Sequence, residues 1–160
     1  YKLYPDKRAI YLAALQRYMD EGTLRTKKRT AEMSPEAALR ATLEFAVQLS
    51  SAPAGEKGCF TIAAASELLP GDKEVKAKVS EKFKNIINEL ECILLRGQQQ
   101  HVFRRDEEAR VVAKSLFMMI EGMRIYGKIQ PEIEDIRRSN DFIIRTLLLS
   151  ANAGAAKASS

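Results

Sequence analysis

The chain has one histidine, two cysteines and a glutamate–arginine pair inside an apolar stretch, and any chemistry would have to be built from these. His101 closes the polar run Gln98, Gln99, Gln100, so a Ser-His-Asp or Cys-His arrangement would rest on one imidazole in a Gln-rich turn. A solvated loop histidine is the plainer reading. Three positions before it stands Gln98, so the Glu-x-x-His pattern of helical di-metal sites is absent, and so is any Gly-rich phosphate loop. Cys59 and Cys92 lack metal-ligand spacing. Cys59, beside Phe60 and without an adjacent base or a cluster of positive charge, reads as a core or cavity residue rather than a nucleophile. Met118, Met119 and Met123 either fill a core or line a pocket, since the flexible thioether adapts to varied apolar shapes. Glu121 and Arg124, three apart, are either an intrahelical ion pair or polar contacts in a cavity, and spacing leaves both open. These residues point to binding rather than catalysis, with no metal and no cofactor expected.

The elements that must position them are helices. Sustained apolar/polar alternation is missing, and apolar residues recur at three and four. The expected fold is all-α, a bundle of about six helices. Asp6 N-caps a first helix carrying Ile10, Leu15 and Met19, with Gly22 expected as its C-terminal cap and a basic loop over residues 25–29. Ser34, Pro35 and Glu36 form a strong helix start: a capping hydroxyl, a proline with no N–H to lose, and an acid at the positive dipole end. Leu39, Leu43, Ala46 and Ser50 make one stripe, with Thr42, Phe45 and Leu49 beside it. A short small-residue helix is expected over 58–69. Asp72 then caps the clearest amphipathic helix, with Val75, Val79, Phe83, Ile86, Ile87, Leu90 and Leu94 opposite Lys76, Lys78, Lys82 and Lys84, and Gly97 is expected to end it.

Asp106, Glu107 and Glu108 are expected in the first turn of the next helix, which from Val111 to Tyr126 is apolar around nearly its whole circumference. Such a helix has to be covered on every side. In a chain of 160 residues, one face can meet the core and the other a second copy. A last helix is expected from Pro131. Together the two predict a homodimeric four-helix interface through Leu116, Ile120, Met123, Ile136, Phe142, Ile143 and Leu147.

With 46% hydrophobic and 29% charged residues, the chain is neither disordered by composition nor membrane-spanning, because no apolar run approaches the ~20 residues a bilayer requires. Reduced thiols and the lack of a membrane span lead to a cytoplasmic expectation. Charge is uneven: the first 30 residues hold eight basic against three acidic groups, whereas the remaining 130 hold 18 of each sign. An anionic partner is therefore expected near the N-terminus.

Tyr1, Tyr4, Pro5, Asp6, Lys7 and Ile10 resemble the stretch by which TetR/AcrR-type transcriptional regulators leave their helix-turn-helix and enter the ligand-binding body. Residues 58–67 are similar to that family's short sixth helix, and 113–124 to its eighth. The resemblance implies that residues 1–6 are the end of the recognition helix and its junction, 7–150 a ligand-binding and dimerisation domain, and 151–160 a flexible tail. Most of the DNA-reading head would lie outside this sequence, so this chain alone is expected to bind no operator, although Tyr1 and Lys7 match positions that contact DNA phosphates. The implied function is a repressor released from operator DNA by a small apolar or aromatic effector. The implied cavity walls are Phe45 and Leu49, then Cys59, Phe60 and Ala63, then Ile86, Leu90 and Ile93, and finally Phe117, Met118 and Glu121. The alternative is a helical interaction or dimerisation module with a filled core and no small-molecule ligand.

Overall fold

The computed structural model describes residues 5–149, with backbone alone over 23–29. Tyr1 and the tail 151–160 lie outside the described residues. In chain order the helices are α1 (Lys7–Thr30), α2 (Pro35–Ser50), α3 (Ala54–Lys57), α4 (Phe60–Leu68), α5 (Lys73–Gln99), α6 (Ala109–Tyr126) and α7 (Ile133–Leu147), with a 3-10 turn, Gly127–Ile129, between the last two. Among the described residues the remaining regular feature is a single antiparallel bridge between Phe103 and Leu148.

Three helix starts follow directly from side-chain chemistry. Asp6 accepts the Ala9 N–H at 2.8 Å, Ser34 that of Ala37 at 3.3 Å, and Asp72 that of Val75 at 3.0 Å, each satisfying a donor that the first turn leaves free. Both glycines expected to stop helices do something else. α1 runs through Gly22 to Thr30, so the expected basic loop is helical backbone. A Cβ on Gly22 would lie 3.3 Å from the Lys82 Nζ, and the missing side chain makes room for that ammonium. α5 likewise continues past Gly97 to Gln99, because the Phe103 ring packs on Gly97 where a Cβ would otherwise stand. The Gly97 carbonyl in turn accepts the Val102 N–H at 2.8 Å, which folds the chain back and delivers Phe103 to its seat. The acids 106–108 precede α6 instead of occupying its first turn, Glu108 being the N-cap residue, and α7 begins two residues after Pro131.

The main core lies where α2, α5, α6 and α7 meet. Leu39, Leu43, Leu90, Leu94, Phe103, Ala113, Leu116 and Ile144 are buried together there. A second cluster, Leu15, Met19, Ala64, Val75 and Val79, fastens α1 and α4 to the first half of α5. Polar struts reinforce that attachment: Arg8 makes a forked contact with Asp72 at 2.7 and 3.0 Å, and Lys78 donates to Gln16 at 2.9 Å.

Candidate functional site

Between these two clusters the packing opens into a cavity of about 210 Å³. Residues at helical spacing build its walls. α2 presents Thr42, Phe45, Ala46 and Leu49, successive positions on one face, and α5 presents Lys82, Phe83, Ile86, Glu89, Leu90 and Ile93. Ile120, Glu121 and Arg124 come from α6, Tyr18 and Gly22 from α1, and Cys59 and Thr61 from the entry to α4. Most of the lining surface is apolar, but five charged residues reach it, Glu21, Lys82, Glu89, Glu121 and Arg124, of which Arg124 is buried and Glu21 exposed.

Burial governs the electrostatics of this site. It pushes the Glu121 carboxyl above the ordinary range, against the opposing pull of Arg124 and Lys82. It lowers the Lys82 ammonium, which donates to the Met19 carbonyl of α1 at 2.9 Å. It raises the Tyr18 phenol, whose hydroxyl donates to the Cys59 sulfur at 3.6 Å. Arg124 is only 6% exposed and donates through Nη2 to the Gly58 carbonyl at 3.2 Å, while its Nε is buried with no hydrogen-bond partner. Glu121 and Arg124 form no ion pair among the described residues; both line the cavity, which decides between the two readings their spacing left open. Among the described residues no group of three His, Cys, Asp or Glu side chains is placed to hold a metal. His101 is an exposed turn residue just past the end of α5 and is not among the residues lining the cavity. The arrangement suits binding of a small molecule with an apolar body and a polar head group.

Of the expected wall residues, Phe45, Leu49, Cys59, Ile86, Leu90, Ile93 and Glu121 line the cavity. Phe60 does not; its ring instead meets Tyr11 and Tyr18 edge-on, with centroids 5.3 and 5.9 Å apart. Ala63 is exposed. Phe117 packs against Phe83 with its ring tilted by 58° and centroids 4.9 Å apart, and does not line the cavity. Met118 is 63% exposed, because at 3.6 residues per turn it lies roughly 115° around α6 from the mean direction of residues 120, 121 and 124. Sequence reasoning missed Tyr18 and Lys82. The lysine reads as a solvent-face residue of α5, and only the long α1 lying over it brings it inside.

The expected interface residues also divide. Leu116 is 2% exposed, Ile136 5% and Met123 7%, so these belong to the chain's own core, and Ile120 faces the cavity. Ile143 and Leu147 are half-buried against the main core. Phe142 alone of the seven is largely exposed. The apolar surface of α6 is a different stripe: Val111, Met118, Gly122 and Ile125, spaced by seven, four and three, all exposed and diametrically opposite the buried Ala113 and Leu116. Beside it an open groove of about 1,070 Å³ runs between α6 and α7, lined by Met119, Gly122, Tyr126 and Phe142 among others.

The family described as "Tetracyclin repressor-like, C-terminal domain" matches residues 35–141, a span from the start of α2 into α7. The chain belongs to this family. It is thus a TetR-family transcriptional regulator, a class of DNA-binding proteins that are not enzymes. Its fold is shared with reduced Escherichia coli NemR at a TM-score of 0.80, with 17% identity over 94% of this chain and 79% of that one. A TetR-family regulator from Agrobacterium tumefaciens superposes equally, at 0.80 with 17% identity over 91% and 77% of the two chains. Regulatory protein TetR from Rhodobacter sphaeroides gives 0.79 with 15% identity over 91% and 78%. At these identities the likeness is one of fold. No curated protein matches the sequence. No helix among the described residues is long and apolar enough to cross a membrane.

Proposed function

We propose that this chain is the effector-sensing and dimerisation body of a repressor, released from its operator when a small, mostly apolar molecule enters the cavity among α1, α2, α5 and α6. The observation that carries this reading is that α1, which leads back to the basic N-terminus, is itself a wall of the cavity. Tyr18 and Gly22 line it, and the cavity residue Lys82 holds the Met19 carbonyl of the same helix. A ligand that displaces these groups acts directly on α1. DNA is met through a helix-turn-helix head ahead of Tyr1, with Tyr1 and Lys7 adding phosphate contacts. Two identical heads reading half-sites about one helical turn apart lose simultaneous engagement when α1 moves, and a coupling of ~1–3 kcal/mol gives roughly 5- to 150-fold release.

The homodimer is formed by the exposed stripe Val111, Met118, Gly122 and Ile125 of α6, with Phe142 of α7 beside it. Gly122 has nothing within 4 Å of where a Cβ would stand, so the stripe has a shallow recess into which a partner helix fits. The test is sedimentation of the wild-type chain and of Met118→Glu with Ile125→Glu. The wild type is expected as a dimer at micromolar concentration and the variant as a folded monomer. A monomeric wild type overturns the dimer. Operator anisotropy on the chain fused to its head, with and without a cavity ligand, tests release, and affinity that ignores ligand would overturn the effector reading.

A further inference from the structure

Resting on the effector-cavity reading, we propose that the cavity takes a one-ring aromatic ligand bearing a carboxylate, seated on the Arg124 guanidinium. Arg124 offers five N–H donors and among the described residues makes one hydrogen bond, to the Gly58 carbonyl, although the residue is 6% exposed. Among the described residues its Nε is buried with no hydrogen-bond partner, and Glu121, one turn earlier on the same helix, lines the cavity without an ion pair to it. A buried guanidinium left this far from satisfied is costly in an empty protein, and the cost is recovered when a ligand supplies acceptors. The planar fork of Arg matches a carboxylate better than it matches any single acceptor atom.

The rest of the cavity sets the body of the ligand. Phe45 and Phe83 stand with Leu49 and Ile86 on the α2 and α5 walls, an environment for an aromatic ring. The volume of about 210 Å³ lies below the 300–1,000 Å³ of drug-sized pockets, which limits the ligand to about one ring and its head group. Lys82, from the facing helix α5, adds a second positive charge. Glu121 and Glu89 line the same cavity, and burial pushes the Glu121 carboxyl above its ordinary range, which lessens its opposition to an incoming carboxylate. A ligand carboxylate between Arg124 and Lys82 also competes with the Met19 carbonyl for the lysine, which connects recognition of the head group to α1.

The experiment is calorimetric titration and thermal shift of the wild-type chain with benzoate, benzamide and benzylammonium, which share one ring and differ in head-group charge. Benzoate is expected to bind about tenfold or more tightly than either of the others. Arg124→Gln is expected to erase that preference while melting, without ligand, within a few degrees of wild type, whereas an arginine with a purely structural role would lose stability. Glu121→Gln is expected to keep or tighten benzoate binding. Equal or tighter binding of benzamide or benzylammonium to the wild type overturns the carboxylate inference and leaves the effector cavity standing. Binding of none of the three overturns both. The wild-type comparison decides the matter even if Arg124→Gln fails to fold.

Discussion

The two ends of the α2, α5 and α6 trio are made by the same helices to opposite purposes. At one end Leu39 and Leu43 of α2, Leu94 of α5 and Ala113 and Leu116 of α6 close around Phe103, each of them 2% exposed or less. Even the space of a Cβ at Gly97 is taken up by the Phe103 ring. At the other end Phe45 and Leu49, Lys82 and Ile86, and Glu121 and Arg124 stand back from one another and leave about 210 Å³ between them. The closed end uses only apolar groups and one glycine. The open end keeps two cations, Lys82 and Arg124, and three acids, Glu21, Glu89 and Glu121, the last with a carboxyl that burial pushes up. The filled end provides the stability on which the empty end depends, and unsatisfied groups concentrate where binding happens.

Substitutions separate the two ends. Phe103→Ala empties the closed end and is expected to cost ~3–5 kcal/mol, measured by urea unfolding. Gly97→Ala, which forces the Phe103 ring off its seat, is expected to cost ~1–3 kcal/mol by the same measurement. Thr61→Val should act in the opposite direction. Thr61 lines the cavity, is 3% exposed and has a hydroxyl with no hydrogen-bond partner, so the near-isosteric valine is expected to stabilise by about 1 kcal/mol, a rise of roughly 2–4 °C in Tm. A fall in Tm would show that the open end is as closely satisfied as the core.

The smallest effect concerns how α1 is held over the open end. The forked contact from Arg8, reinforced by the Val75 N–H, brings the Asp72 carboxyl from 3.8 down to about 2. A carboxyl depressed in the folded state contributes stability above its unfolded value and loses it as pH falls through the folded one. The contribution is therefore present above pH 3.8 and fades toward pH 2. Asp72→Asn is expected to remove that part of the acid dependence and to speed amide exchange in the first turns of α1 and α5. An unchanged acid profile would show that the Arg8 contact does not hold α1.

Much of this architecture is legible in the residues. The caps Asp6, Ser34 and Asp72 announce their helices, and the α2 and α5 positions of the cavity follow from stripes at three and four. α6 is harder to read, because a helix apolar on nearly every side carries no direction: Leu116 and Met118 look alike until packing sends one inward and the other out. The glycines mislead for a related reason. Gly22 and Gly97 look like stops, yet each is a space for a side chain from another part of the chain, Lys82 in one case and Phe103 in the other. Lys82 enters the cavity where α1 lies over it, with the Met19 carbonyl and the bare Gly22 beside its ammonium, a contact between distant segments that no local signal foretells.

The contrast between the ends can be measured on a single helix. Ile86 lines the cavity, and Leu94, about two turns further along α5, is 1% exposed in the closed core. The most direct test is the melting temperature of Ile86→Trp against that of Leu94→Trp. Ile86→Trp is expected to place its ring in the void and melt at or above wild type, while Leu94→Trp overpacks the core and melts several degrees lower. Equal losses in the two variants would mean that there is no working void between α2, α5 and α6, and would contradict its role as the effector site.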